Sequence, residues 1–301
     1  MKRKLTKRAL IGNGLLLLIA LVSVAARQVG SSSANDSSST QPLSFDTVLL
    51  KLNGASETDL LSAPCISMNK QAASYVKKYL ASNSEDLQAI KSKSVSYFKI
   101  TDAVFSKYGL PQELKYLAVV ESELNTKALS HVGARGAWQL MPETARLLSL
   151  KVTRKNDERT HFFKSTVAAA KYLRDLHAIF NDWLLVIASY NSGPGKVMDA
   201  IKKSGSRNFW KLQNFLPAET RGHVKRFVAT HYFFEGQGSV TTVTREEAIA
   251  YKKTMLAFVE GLKVQREKAT ATEIATNNAP VKNDVIVKAE IPVDSKIANR
   301  E

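Results

Sequence analysis

From Asn69 onward the apolar residues recur at helical spacing. Tyr75, Val76, Tyr79 and Leu80 share one face, and a long helical stretch is expected from Glu85 to Tyr108. Gly109 closes that stretch, and Pro111 suits the first turn of the next helix. Helical patterns continue over 111–122, 142–150, 166–180, 182–191, 194–204 and 217–235. Val167, Ala170, Leu173, Leu176 and Phe180 trace one apolar face. No alternating, β-branched run precedes residue 238, and Val240 to Val243 reads as either a short strand or a linker. Residues 245–267 read as a last helix. The fold class expected is all-α, with a core domain at 69–238, a helical extension at 239–267 and a disordered tail at 268–301, where large apolar residues thin out.

The pattern changes at the N-terminus. Lys2, Arg3, Lys4, Lys7 and Arg8 precede an apolar run from Leu15 to Val22, and Val24 and Ala26 suit a signal peptidase. Residues 1–26 therefore read as a secretory signal cleaved after Ala26, or as an uncleaved anchor in which residues 9–26 attach the chain to a membrane. Gly12, Asn13 and Gly14 weaken the anchor, and no cysteine follows for a lipoprotein linkage. Residues 27–68 begin as a Ser-rich linker and continue as a mixed segment with no clear pattern. Either way the chain is expected to leave the cytoplasm.

Composition narrows the chemistry. The chain has 301 residues, 44% of them hydrophobic, which excludes a wholly disordered chain. A single cysteine, Cys65, excludes a disulfide framework and a cysteine zinc site. The five histidines lack H-x-x-x-H or HExxH spacing, so neither a metal nor a cofactor is expected. The formal net charge is +16, and +11 without the five basic residues of the first 26. Such a balance is either a solvated surface or a complement to an anionic partner. Nucleic acid is not expected, because no stretch interleaves basic and aromatic residues as a stacking platform does.

Three segments carry candidate chemistry. In 114–123, Glu121 follows Leu117 by four residues and Leu114 by seven, so it lies on their apolar face, while Glu123 is turned about 200° away. A carboxyl among apolar neighbours keeps its proton to higher pH, as a general acid must. The bland alternative is a half-buried Glu that caps or pairs. In 128–145, Gly133 and Gly136 punctuate a loop carrying Trp138 and Gln139 before a helix begins at Pro142. Trp138 is a sugar-stacking platform or simply core. In 187–195, a helix ends in Tyr190-Asn191 before a Gly-Pro-Gly turn. That end either enters a cleft or is an ordinary corner between helices.

Together, Glu121-Ser122, Gly133-Ala134-x-Gly136-x-Trp138-Gln139-x-Met141-Pro142-x-Thr144-Ala145 and Ala188-x-Tyr190-Asn191-x-Gly193-Pro194-Gly195 resemble the family 1 lytic transglycosylases. Tyr97-Phe98, Leu110-Pro111-x-Glu113-Leu114, Asp182-Trp183, Phe209-Trp210 and Leu216-Pro217-x-Glu219-Thr220-Arg221 extend the resemblance across 95–235. Within the family it is most similar to the membrane-bound murein transglycosylase D group. The resemblance implies a lysozyme-like helical domain of the goose-type (Slt) kind. It implies cleavage of the β-1,4 bond between N-acetylmuramic acid and N-acetylglucosamine in peptidoglycan glycan strands, leaving 1,6-anhydromuramic ends. Glu121 corresponds to the single catalytic acid/base. Ser122 corresponds to a residue supporting the helix end, and Tyr190 to a tyrosine that orients the acid. Ser130, Gln139, Met141 and Asn191 match substrate-binding positions, and Tyr232 matches a last tyrosine near the cleft.

The departures fall mostly away from the acid. Lys99 and Ala137 replace a usual Pro and a usual Leu or Pro. His223 and Lys225 stand where the family has Tyr and Pro, which bears on the far wall of the cleft. Thr160-His161 replaces an Arg-Asp pair and reads as surface variation. No LysM repeat is recognisable, and basic charge offers a substitute hold on anionic peptidoglycan. The alternatives are a hydrolytic, lysozyme-like muramidase and a non-catalytic peptidoglycan-binding scaffold.

Overall fold

In a computed structural model, residues 62–277 are described, and their architecture is all-α. The signal or anchor segment and most of the linker lie outside the described residues, as does the tail beyond Asn277. Helix α1 (Lys70–Lys93) starts where Asn69 accepts a hydrogen bond from the Gln71 amide at 2.9 Å, and it buries Ala72, Val76, Leu87 and Ile90. The helix expected through 85–108 is broken: the Ser94 hydroxyl donates to the Lys91 carbonyl at 2.9 Å, ends α1, and α2 (Val95–Lys107) begins anew. A serine that satisfies its own turn competes with the helix ladder, and the apolar spacing cannot report that.

Pro111 precedes a 3₁₀ turn (Gln112–Lys115), which leads into α3 (Tyr116–Ser122). The proline therefore sits just outside the helix expected at 111–122. Helix α4 (Pro142–Leu147) is shorter than expected, and α5 (Phe162–Phe180) starts earlier than residue 166, with the His161 ring accepting from the Lys164 amide. Next come α6 (Trp183–Ser192), α7 (Pro194–Ser204), α8 (Phe209–Leu212), α9 (Ala218–Glu235) and α10 (Arg245–Asn277).

Helix α6 lies at the centre. Leu184, Leu185, Val186, Ile187 and Ala188 are all fully buried, so the helix is apolar on every side. It packs against α5, α7 and α9, and α9 in turn packs against α1 and α3. Buried Asp182 starts α6 by accepting from the Leu185 amide at 3.1 Å. Its other oxygen accepts from the Arg245 amide at 2.7 Å, which fixes the first turn of α10 to the core.

Two boundaries differ from the sequence reading. No strand forms at 240–243. Instead Ser239, Thr241 and Thr242 are buried in a hydroxyl network and buried Thr244 donates to Glu247, so the chain past 238 continues the domain, whose compact unit reaches Val259. From Glu260 the chain forms a second unit, and there α10 runs on to Asn277 rather than stopping at 267. The Thr270 and Thr272 hydroxyls donate to the carbonyls four residues back within this helix, at 3.0 and 2.9 Å. No helix among the described residues is long and apolar enough to cross a membrane.

Candidate functional site

Glu121 occupies the last turn of α3, a helix of seven residues. The helix ends abruptly, because Glu123 and Leu124 both take left-handed backbone angles, with φ of 55° and 64°. Buried Leu124 anchors this turn, and Glu123 points to solvent. The Glu121 side chain is 13% exposed. Burial pushes its carboxyl up to about 8; Arg226 pulls the other way and Glu219 adds to the rise. Glu121 is therefore a carboxylic acid, not a carboxylate, near neutral pH.

The 128–140 loop is wound into two tight, bridged turns beside the acid. Ser130 accepts from the Ala134 amide through its hydroxyl at 2.9 Å, and the Gly136 amide donates to the Ala128 carbonyl at 2.9 Å. Gln139, at φ 43°, donates from its side-chain amide to the Gly136 carbonyl at 2.8 Å. Gly136 is obligatory: at φ 82°, a Cβ there would lie 2.0 Å from the Arg159 carbonyl oxygen. Ser122 ties the helix to this loop by donating to the Ala137 carbonyl at 2.9 Å. Trp138 is core, fully buried with its indole N–H on the Thr166 hydroxyl at 2.9 Å, so it offers no stacking face.

Tyr190 and Asn191 come from the far end of α6. The Tyr190 hydroxyl donates to the Trp138 carbonyl at 2.7 Å, locking the loop to the central helix. Burial, then the neighbouring Glu121 and Tyr172, hold its phenol well above the ordinary range, so it stays a neutral donor. Asn191 accepts from the Thr220 hydroxyl at 2.9 Å, which joins α6 to α9. Met141, 37% exposed, stands at the loop exit ahead of α4. Tyr232 is set apart from this group. It lies nine residues beyond His223 on α9, hence half a turn round and about 13 Å along the axis, and its hydroxyl faces the Ile66 carbonyl at 3.4 Å.

Two further residues belong with this group: Arg159, which the sequence reading passed over, and His223, which it put at the far wall of the cleft. Arg159, only 5% exposed, donates to the carbonyls of Gly133 (2.7 Å) and Leu140 (2.9 Å) and forks onto Asp157 (2.9 and 2.7 Å). This contact, chiefly the hydrogen bond from Arg159, holds the Asp157 carboxyl below its usual range. Arg159 thus clamps both arms of the loop from beneath. His223, assigned from sequence to the far wall, instead puts Nε2 3.4 Å from Oε1 of Glu121. It is buried, and burial, with Arg226 adding to it, depresses its pKa to about 3, so the imidazole is neutral. No group of His, Cys, Asp and Glu among the described residues could hold a metal ion.

A buried acid at a helix end, a glycine-punctuated loop bolted to it and a tyrosine from a central buried helix make up the candidate site. Residues 100–213 match the model of the Transglycosylase SLT domain family. Among curated proteins the chain is similar to membrane-bound lytic murein transglycosylase D of Escherichia coli strain K12, with 34% identity over 219 residues. That alignment covers 70% of this chain and 48% of the relative, so the chain spans about half the length of that protein. It is also 30% identical over 125 residues to the soluble lytic murein transglycosylase of Salmonella typhimurium, covering 39% of this chain and 19% of the relative. Among solved structures, an inactive mutant of the lytic transglycosylase Slt from Pseudomonas aeruginosa aligns with a TM-score of 0.44 at 19% identity, covering 68% of this chain and 46% of that one.

Proposed function

We propose that this chain is a peptidoglycan lytic transglycosylase that cleaves the β-1,4 bond between N-acetylmuramic acid and N-acetylglucosamine. The observation that carries the reading is Glu121, a carboxyl held protonated to about pH 8 at the end of α3, between Tyr190 and the 128–140 loop, inside an SLT domain. As acid it gives its proton to the glycosidic oxygen while the C1–O bond breaks. The resulting carboxylate takes the proton of the muramic C6 hydroxyl as O6 bonds to C1. The ring closes as a 1,6-anhydro end, and no water is consumed. Ser122, Tyr190 and Arg159 hold the acid and its loop, while Ser130, Gln139, Met141 and Asn191 form the sugar-binding margin. The N-terminal 26 residues export the chain to the envelope, and its basic surface favours anionic wall polymer.

A hydrolytic muramidase is the second reading, favoured by one observation: Glu219, exposed at the start of α9, is a second carboxylate whose charge is felt at Glu121. Most glycosidases pair two carboxylates across the bond. Digestion of purified sacculi by the full chain, by Glu121→Gln and by Glu219→Gln, followed by mass spectrometry, separates the two. Anhydromuramic ends from wild type and Glu219→Gln, and none from Glu121→Gln, are expected. Reducing ends that vanish with Glu219→Gln make the enzyme a hydrolase. Retained sacculus binding with no cleavage by wild type makes it a scaffold.

A further inference from the structure

His223 occupies a position that the resemblance leaves to a tyrosine, and it meets the acid across the interface between α3 and α9. Its Nε2 is 3.4 Å from Glu121 Oε1 and has no hydrogen-bond partner among the described residues. The imidazole is 2% exposed. A buried polar nitrogen without a partner is costly, so this arrangement marks a group waiting for one. The charged and titratable groups around the pair are few. On α9 they are Arg226, which acts on both residues, and Glu219, which acts on Glu121. From α6 comes Tyr190, backed by Tyr172 of α5, with ring centroids 5.4 Å apart. Tyr79 of α1 is coupled to Arg226 and Glu123.

Resting on the reading of Glu121 as the acid, we propose that His223 is a positioning residue whose Nε2–H holds Glu121 Oε1 and stabilises the negative charge that appears there between the two proton transfers. At rest the contact is long because a neutral acid attracts the N–H weakly, and contacts of this kind shorten as charge develops. When Glu121 gives its proton to the glycosidic oxygen, its carboxylate faces a neutral imidazole donor in a nearly dry site, where such a hydrogen bond is strong. When the carboxylate takes the C6 hydroxyl proton, the contact relaxes. His223 keeps its own proton throughout. The depressed pKa of the ring fits this role, since the imidazole remains a neutral donor across the working range.

The test compares full-length wild type, His223→Leu and His223→Gln, the last because a glutamine amide can place an N–H close to the Nε2 position. Cleavage rates are measured on soluble uncrosslinked glycan strands, and the Glu121 carboxyl is titrated by carbon-13 NMR without substrate. His223→Leu is expected to lower kcat at least tenfold with KM within about twofold, and to raise the Glu121 midpoint by about one pH unit. His223→Gln is expected to keep most of the rate and the wild-type midpoint. Wild-type kcat and midpoint in His223→Leu overturn the proposal, as does a His223→Gln protein as impaired as the leucine variant. Nitrogen-15 shifts of the wild-type imidazole decide it even where His223→Leu does not fold: a protonated, neutral Nε2 is required, and a bare Nε2 overturns it. A wild type that cleaves nothing, yet shows this tautomer and a glutamine-conserved midpoint, refutes the transglycosylase reading and leaves the Glu121–His223 contact standing.

Discussion

Replacing Glu121 with glutamine should make the protein more stable, and increasingly so as pH rises. The folded chain holds the Glu121 proton to about pH 8, whereas a freely solvated glutamate releases it near 4.5. Between those values the native state binds one more proton at this site than the unfolded state, so stability falls as pH rises through the window. At ~1.36 kcal/mol per pKa unit the whole window amounts to on the order of 4–5 kcal/mol. With urea m-values of about 2–3 kcal/mol/M for a domain of this size, that corresponds to on the order of 1–2 M in unfolding midpoint. Wild type and Glu121→Gln are unfolded in urea at pH 5 and pH 8.5. Asp182 (about 6), His223 (about 3) and His231 (about 4) titrate in both proteins and largely cancel in the difference. The gap should open in favour of the glutamine variant toward pH 8.5. Midpoints that move in parallel at both pH values would refute the reasoning, because Glu121 would then be ionised and solvated in the native state.

Two further outcomes follow from the loop beneath the acid. Gly136→Ala drives a methyl against the Arg159 carbonyl at a left-handed φ, so it should cost about 2 kcal/mol or more, read as a fall of several degrees in melting temperature; an unchanged melting temperature contradicts the close approach. Arg159→Met leaves half-buried Asp157 with only the longer Arg135 contact and removes the donor from two carbonyls, and should cost about 2–3 kcal/mol. Adding Asp157→Asn should recover part of that loss, and the double variant measures the coupling.

The parts of the structure that were legible in the sequence are those set by neighbours along the chain. Glu121 could be placed on the buried face from Leu117 and Leu114 alone, because helix spacing fixes it. The helical pattern over 182–191 was likewise legible, although its central place in the core was not. Arg159 was hidden, since a lone arginine in a polar stretch looks like surface, and its targets at Gly133 and Leu140 lie 26 and 19 residues away. His223 could be seen as a departure from the family pattern but not as a neighbour of the acid, because α3 and α9 meet only through tertiary packing. The break at Ser94 and the continuation of α10 past 267 were missed for a third reason: side-chain hydroxyls bonding to local carbonyls leave no mark on hydrophobic spacing.

Helix α3 is seven residues long, well short of the ~12–15 residues that an isolated helix needs in water. It exists because α9, almost a hundred residues later in the chain, lies against it. During synthesis, Glu121 therefore leaves the ribosome long before there is a wall to bury it against. In the function proposed, the surroundings of the acid are thus complete only once α9 has packed against α3.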